Sequence, residues 1–407
     1  MTSPIQLYKK AYSGLSLNSW YLSLVVLINR SGTMVLPFMT IYCTQRLHFN
    51  IVQAGIIMSL FGAGSITGAF IGGKIIDKYG FYDVQVTSLI SAGLFFILLG
   101  YQTTFLAICI NVFILSICND AFRPANSTAI AHYSTADNKT RSYSLNRLAV
   151  NLGWSVGGAL GGFLASHNYH LLFWVDGCTN ILSGLLLLKI MPRANYQKAK
   201  ATIKTVNSKL SPYRDSSYLL FILFTVLFAT CFFQTFTIQP IFYKTQWKIN
   251  EQVIGGLMAL NGLLVAFVEM VLINNLESKR HPLRYICWGV LLTGLSLTLV
   301  NWLPHTVFIA ILVIVGISFG EMLAMPFMNS FWIVRTTNAN RGQYAALYTM
   351  AWSTAQILAP IIGSQIIALS GYYMLWWLLG GMCVASALGF FMLYKIKFQK
   401  QVVTIKG

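Results

Sequence analysis

The chain has 407 residues, 56% hydrophobic and 9% charged, with 28 Lys and Arg against 10 Asp and Glu and a formal net charge of +18. A soluble domain carries about 25% charged residues, so this composition excludes a chain that covers its surface with polar groups. In a soluble protein the positive charge would suggest nucleic acid; here it has to be read against a membrane.

Twelve apolar stretches, each of about 18 residues or more, are long enough to cross a bilayer. They lie near 17–42, 51–73, 83–102, 104–126, 142–166, 168–190, 217–242, 252–274, 284–303, 305–329, 342–368 and 371–394. Helices are expected, because an open sheet would leave unpaired backbone groups in hydrocarbon. With the N-terminus inside, 22 of the 28 basic residues fall in cytoplasmic segments. Arg46, Lys244 and Lys248 fall outside, and Arg30, Arg123 and Arg147 lie in spans or at their ends. That asymmetry places both termini in the cytoplasm and accounts for the net charge. The opening run "MTSPIQLYKKAYSG" has no following A-x-A site, so no removable signal peptide is expected. Seven scattered cysteines and six histidines show no ligand spacing, and no G-x-x-x-x-G-K-[ST] run is present. No metal, cofactor, ATPase or enzyme activity is expected.

The first span carries "LINRSGTMVLPFMTIY" (27–42), with Arg30 near mid-membrane. A charge there costs several kcal/mol, by estimates that begin near roughly 2.5, and such residues usually face a partner or a water-filled cavity. Between the second and third spans, "GGKIIDKYG" (72–80) reads G-x-x-x-D-[RK]-x-G through Gly73, Asp77, Lys78 and Gly80. The fourth span holds Asp120 and Arg123, three apart and able to pair locally. The fifth, "RLAVNLGWSVGGALGGFLA" (147–165), carries Gly153, Gly157, Gly158, Gly161 and Gly162, a spacing that lets helices approach closely. Asp176, in "LFWVDGCTN" of the sixth span, is expected to be structural.

The hydrophilic stretch 191–216 divides a bundle at 1–190 from one at 217–407. An offset of 202 sets Pro124 on Pro326, Gly158 on Pro360 and Gly161 on Gly363, while Pro37 meets Pro240 at 203. Such weak symmetry is expected of a transporter built from parallel halves.

The 72–80 segment resembles the signature loop of the major facilitator superfamily, although Phe81 and Tyr82 stand where a basic pair is usual. Gly73 is expected to give a tight exit from its helix and Gly80 a turn, with Asp77 latching a helix N-terminus. Glu277, in the degenerate "NNLESKRHP", is given a similar part. The fifth span resembles the antiporter motif G-x-x-x-G-P-x-x-G-G with Gly158 at the proline position, and "AQILAPIIG" keeps Pro360. "RSGTMVLPFMTIY" and "GISFGEMLAMP" (316–326) resemble segments of bacterial multidrug and dipeptide exporters.

The resemblance implies an all-α fold of two six-helix bundles in which the first, fourth, seventh and tenth spans line a central cavity. Arg30, Asp120, Arg123 and Glu321 fall on those spans. Glu321 is expected to be the proton-coupling carboxylate, with Asp120 and Glu269 as further candidates and Arg30 as partner to an acid or to the substrate. Asn29, Gln234, Gln239 and Asn329 are polar candidates for the cavity wall, and Phe38 and Phe236 aromatic ones. The expected function is proton-coupled export of a small organic molecule by a monomer in a bacterial inner membrane. Proton-coupled uptake of a nutrient, peptide or metal-chelating metabolite, and lipid flipping, are the alternatives. A membrane enzyme or receptor on the same body is disfavoured, because no nucleophile–base arrangement is found.

Overall fold

In a computed structural model, residues 14–135, 139–193, 212–276, 279–335 and 341–406 are described. Glu277, the side chain of Asp77 and most of the expected linker lie outside them. The described residues are helical almost throughout. Leu17–Ser31 (α1) and Val35–Gln45 (α2) share the first span, followed by Ile51–Tyr79 (α3), Phe81–Leu99 (α4) and Phe105–Tyr133 (α5). Lys139–His167 (α6) and His170–Ile190 (α7) complete the first half. Ser216–Thr237 (α8), Gln239–Thr245 (α9), Glu251–Leu276 (α10), Pro282–Leu299 (α11) and Val307–Val334 (α12) follow. Arg341–Lys406 (α13) is interrupted by the non-helical Gly371, so it supplies two spans. Among the described residues, eleven helical segments are long and apolar enough to cross a membrane, the last of them 53 residues long. Divided at Gly371, it brings the number to the expected twelve.

Two compact units result. One comprises Met1–Ala199 with Tyr243–Ala266, the other Lys200–Phe242 with Phe267–Gly407. The repeat seen in the sequence is also written in the backbone. His48 and Lys248 both take a positive φ, 57° and 56°, which non-glycine residues adopt only in short turns. Each is followed by the same closure, Phe49 N–H to the Cys43 carbonyl and Ile249 N–H to the Tyr243 carbonyl. Asn50 and Asn250 then cap the helices that begin next, accepting from Gln53 N–H (2.8 Å) and Val253 N–H (2.9 Å).

The signature segment differs from its expected form. α3 runs on through Gly73, around which there is open space, and ends at Tyr79; the turn is Gly80 alone (φ 88°, ψ 161°). A side chain at that φ would be strained, so the tight exit belongs to Gly80 and not Gly73.

α6 packs closely on its neighbours in the first unit through two glycine stripes. Gly153, Gly157 and Gly161 face α1 and α2: a Cβ on Gly153 would stand 2.4 Å from Arg30 Cβ, and one on Gly161 would meet Met34 and Phe38. Gly158 and Gly162 face α10, where a Cβ on Gly162 would lie 2.4 Å from the Glu251 carbonyl. Gly255 answers them, its own Cβ position only 2.3 Å from the Gly158 carbonyl. Beside this contact Tyr169 O–H donates to Glu251 Oε1 (2.7 Å) and Lys244 Nζ to Oε2 (2.8 Å), with Arg46 over the Tyr169 ring. Burial first, then the Glu251 carboxylate, hold the Tyr169 hydroxyl above its ordinary range, so it stays a donor.

The second unit has its own clamp. Arg335, just past α12, forks onto Asp215, with Nη2 2.7 and 2.8 Å from its two oxygens and Nε at 3.1 Å. Asp215 also caps α8 through Tyr218 N–H and accepts from Tyr344 O–H. Burial pushes the Asp215 carboxyl up, but Arg335 and these donors outweigh it and hold the group below the usual carboxylate range. Its stabilisation is therefore fully present above a pH of about 4 and is lost as pH falls through the lowered folded value. Asp215→Asn should cost about 2 kcal/mol at pH 7, read as a lower apparent melting temperature in detergent. The gap between variant and wild type should close in acid.

Candidate functional site

The first span breaks between Ser31 and Val35, where Pro37 could not donate to the Thr33 carbonyl had the helix been continuous. The N-cap residue of α2, Met34, offers no side-chain acceptor. Asp176 of α7 supplies one from outside: its Oδ2 accepts from Met34 N–H (3.3 Å) and Val35 N–H (3.2 Å). Asn180 donates to Asp176 Oδ1 (3.2 Å), and Asn29 donates in turn to Asn180 Oδ1 (2.8 Å). A carboxylate on two free N–H groups at a helix start is a stable arrangement in a dry interior. Asn29 and Phe38 are thereby placed in buried packing, the one bonded to Asn180 and the other beneath Gly161.

Arg30 lies in the last turn of α1, directly before this break. Its side chain enters a cavity of about 340 Å³ between α1, α5 and α6. Arg123, Asn126, Ser127, Tyr143, Asn146 and Trp154 give the other polar and aromatic walls; Val26, Phe122, Ile130 and Val150 give the apolar ones. Asn126 Nδ2 donates to Asn146 Oδ1 (3.0 Å), which ties the α5 wall to the α6 wall.

Asp120 lies behind Arg123. Arg123 Nε is 2.6 Å from Asp120 Oδ1, yet the Arg123 side chain is 58% exposed while that of Asp120 is wholly covered. Neither oxygen of Asp120 has a well-aligned hydrogen bond, so the ion pair is its main compensation. Arg30 is within electrostatic reach of Asp120, Asp176 and Arg123. Among the described residues no carboxylate oxygen comes within ion-pair distance of it.

The structure therefore joins three of the residues expected from sequence, Arg30, Asp120 and Arg123, in one place. Asn126, Asn146, Tyr143 and Trp154 were not expected. Their signal was spacing: Asn126 falls one turn after Arg123, and Asn146, Val150 and Trp154 recur every four residues beside the glycine stripe.

The second unit holds the remaining candidates. Gln234 is buried and donates to the Ala359 carbonyl (2.7 Å), next to Pro360 and against Gly363. Gln239 is buried, and Asn329 accepts from Trp332 Nε1 (3.3 Å). Phe236 packs on Phe232. Glu321 is half-buried on α12, and Glu269 is 6% exposed on α10.

This is the anatomy of a helical transporter: a broken first helix, a cavity walled by helices of one bundle and a buried carboxylate paired with an exposed arginine at its edge. Residues 22–352 match the family described as Major Facilitator Superfamily. The chain belongs to that superfamily. It is a multi-pass membrane transporter and not an enzyme. A Na(+), Li(+), K(+)/H(+) antiporter of Planococcus maritimus is 23% identical over 93% of this chain and 96% of its own. The class H tetracycline resistance protein of Pasteurella multocida is 23% identical over 82% of this chain and 84% of its own. The crystal structure of a point mutant of the nucleoside transporter NupG superposes with a TM-score of 0.82 at 13% identity, covering 93% of this chain and all of that one. At that identity the likeness speaks for the fold.

Asp176→Ala should leave two N–H groups of α2 without their acceptor and cost about 2–3 kcal/mol. Asp176→Asn, which keeps an oxygen, should cost less. Apparent melting temperatures in detergent would order the three proteins, wild type highest and alanine lowest.

Proposed function

We propose that the chain is a proton-coupled secondary active transporter of small organic molecules, working by alternating access in a bacterial inner membrane. The observation that carries this reading is the Asp120–Arg123 pair. A carboxylate wholly removed from water is costly to keep ionised unless a cation compensates it. Here the cation is itself open to the cavity. A ligand that draws Arg123 away leaves Asp120 a bare buried charge, which a proton neutralises. A ligand that instead fixes Arg123 against Asp120 keeps the carboxylate ionised and excludes the proton. Either way, substrate occupancy and proton occupancy are linked, and the linkage is reciprocal.

Export in exchange for protons is the direction favoured by the relatives' names, an antiporter and a drug-resistance protein. Uptake together with protons is the second reading, favoured by the two arginines on the cavity wall, since a ligand held by Arg123 would bind along with the proton. Glu321 is proposed as a second titrating group: it lies one residue from position 322, onto which the offset of 202 carries Asp120.

Purified protein in vesicles loaded with a pH-sensitive dye tests the reading, with tetracycline, benzoate and a dipeptide as probes. Wild type should move protons with at least one of them, and the sign gives the direction. Asp120→Asn should abolish proton movement while binding stays within about tenfold. Unchanged proton movement in that variant would transfer coupling to Glu321 or Glu269.

A further inference from the structure

We propose that the cavity between α1, α5 and α6 is an anion site, taking the carboxylate or another acidic group of a small amphipathic organic molecule. Arg30 and Arg123 serve as its counter-charges. The proposal rests on the transporter reading and adds the substrate's charge to it.

The charge on the cavity wall is unbalanced. Among the described residues, two guanidiniums reach the same cavity and no carboxylate lines it. The two acids within electrostatic reach of Arg30 are both engaged elsewhere. Asp120 is covered and held behind Arg123, and Asp176 spends its oxygens on Met34 N–H, Val35 N–H and Asn180. The wall thus carries positive charge in a low-dielectric cleft, where field lines concentrate and an anion gains most. Guanidinium groups, weakly hydrated and planar, suit a carboxylate better than an ammonium would.

The remaining lining says what the rest of the molecule looks like. Asn126 accepts from Gln85 Nε2 and donates to Asn146 Oδ1, which leaves the Asn146 amide N–H groups for a polar substituent. Trp154 and the apolar residues beside it offer a surface for a ring or a short chain. A volume of about 340 Å³ is at the small end of ligand pockets, which run from roughly 300 to 1,000 Å³. A compact acid fits that volume.

The test reads the charge of the cavity without knowing the substrate. Val150→Cys and Ser127→Cys, made separately in the full chain, each place a thiol on its wall. Three methanethiosulfonates then react with it: the anionic sulfonatoethyl, the cationic trimethylammonioethyl and the neutral methyl reagent. Modification is followed at that one residue by peptide mass, and each rate is divided by that of a free thiol. The anionic reagent should be favoured over the cationic one by about tenfold or more. Arg30→Gln and Arg123→Gln should each reduce that preference several-fold.

Equal rates, a cationic preference, or a preference untouched by both glutamine variants would overturn the proposal. So would failure of the neutral reagent at both positions, since no ligand would then reach the cavity. The proton measurement with Asp120→Asn reports separately on the transporter reading. A cationic preference with proton coupling intact removes only the anion site. An anionic preference without coupled proton movement keeps the site and removes the coupling.

Discussion

The constraint on which this molecule depends is the cost of holding a charge away from water. A chain with 10 acidic residues in 407 places few in its spans, and each carboxylate described in detail has a specific compensation. Asp176 is met by backbone N–H groups and an amide. Glu251 is met by a lysine and a tyrosine, Asp215 by a forked arginine, and Asp120 by one direct ion pair among the described residues, to Arg123. The first three are held by several donors from different elements and act as fasteners. The fourth has one partner, and that partner is exposed. A singly compensated buried charge is the easiest to disturb, which is why it sits at the centre of the functional argument.

The same economy shapes the backbone. A span that breaks in hydrocarbon exposes N–H and carbonyl groups that water would otherwise satisfy, and such breaks survive only where protein replaces the water. The first span breaks, and Asp176 reaches in from α7 to close it. Arg30, in the last turn before the break, lines the cavity, and Gly153 makes room for α6 to lie against its backbone. The structural acid and the functional arginine thus flank the same three residues of irregular chain, Gly32 to Met34. Damage to the first would be read out at the second.

In this light the glycines of α6 divide into two tasks that the motif alone merges. One stripe accommodates the broken span and with it Arg30; the other lets α10 approach until backbone meets backbone at Gly255. Helix association in a bilayer depends on packing of this kind, because lipid offers no hydrophobic drive between helices. The polar group of Tyr169, Lys244 and Glu251 lies beside the second stripe, so close packing and charge compensation fall at the same place.

By itself, the sequence determined the spans, their helical nature, the duplication and the short list of charges inside the membrane. Apolar run length and the cost of a buried charge are local properties, and both can be counted along a chain. It also placed Arg30, Asp120 and Arg123 on candidate helices through the resemblance of their flanking segments. Only the tertiary structure decided what each of them faces. Asp176 caps a helix 142 residues earlier in the chain, Tyr169 meets Glu251 across 82 residues, and Asn126 meets Asn146 across 20. Asn29 looked like a cavity residue and instead bonds to Asn180, because one residue's rotation about a helix, roughly 100° by the 3.6-residue period, turns it from the face that Arg30 occupies. Period and polarity define faces of a helix; which neighbour covers a face depends on how the helices cross, and that follows from packing over the whole bundle.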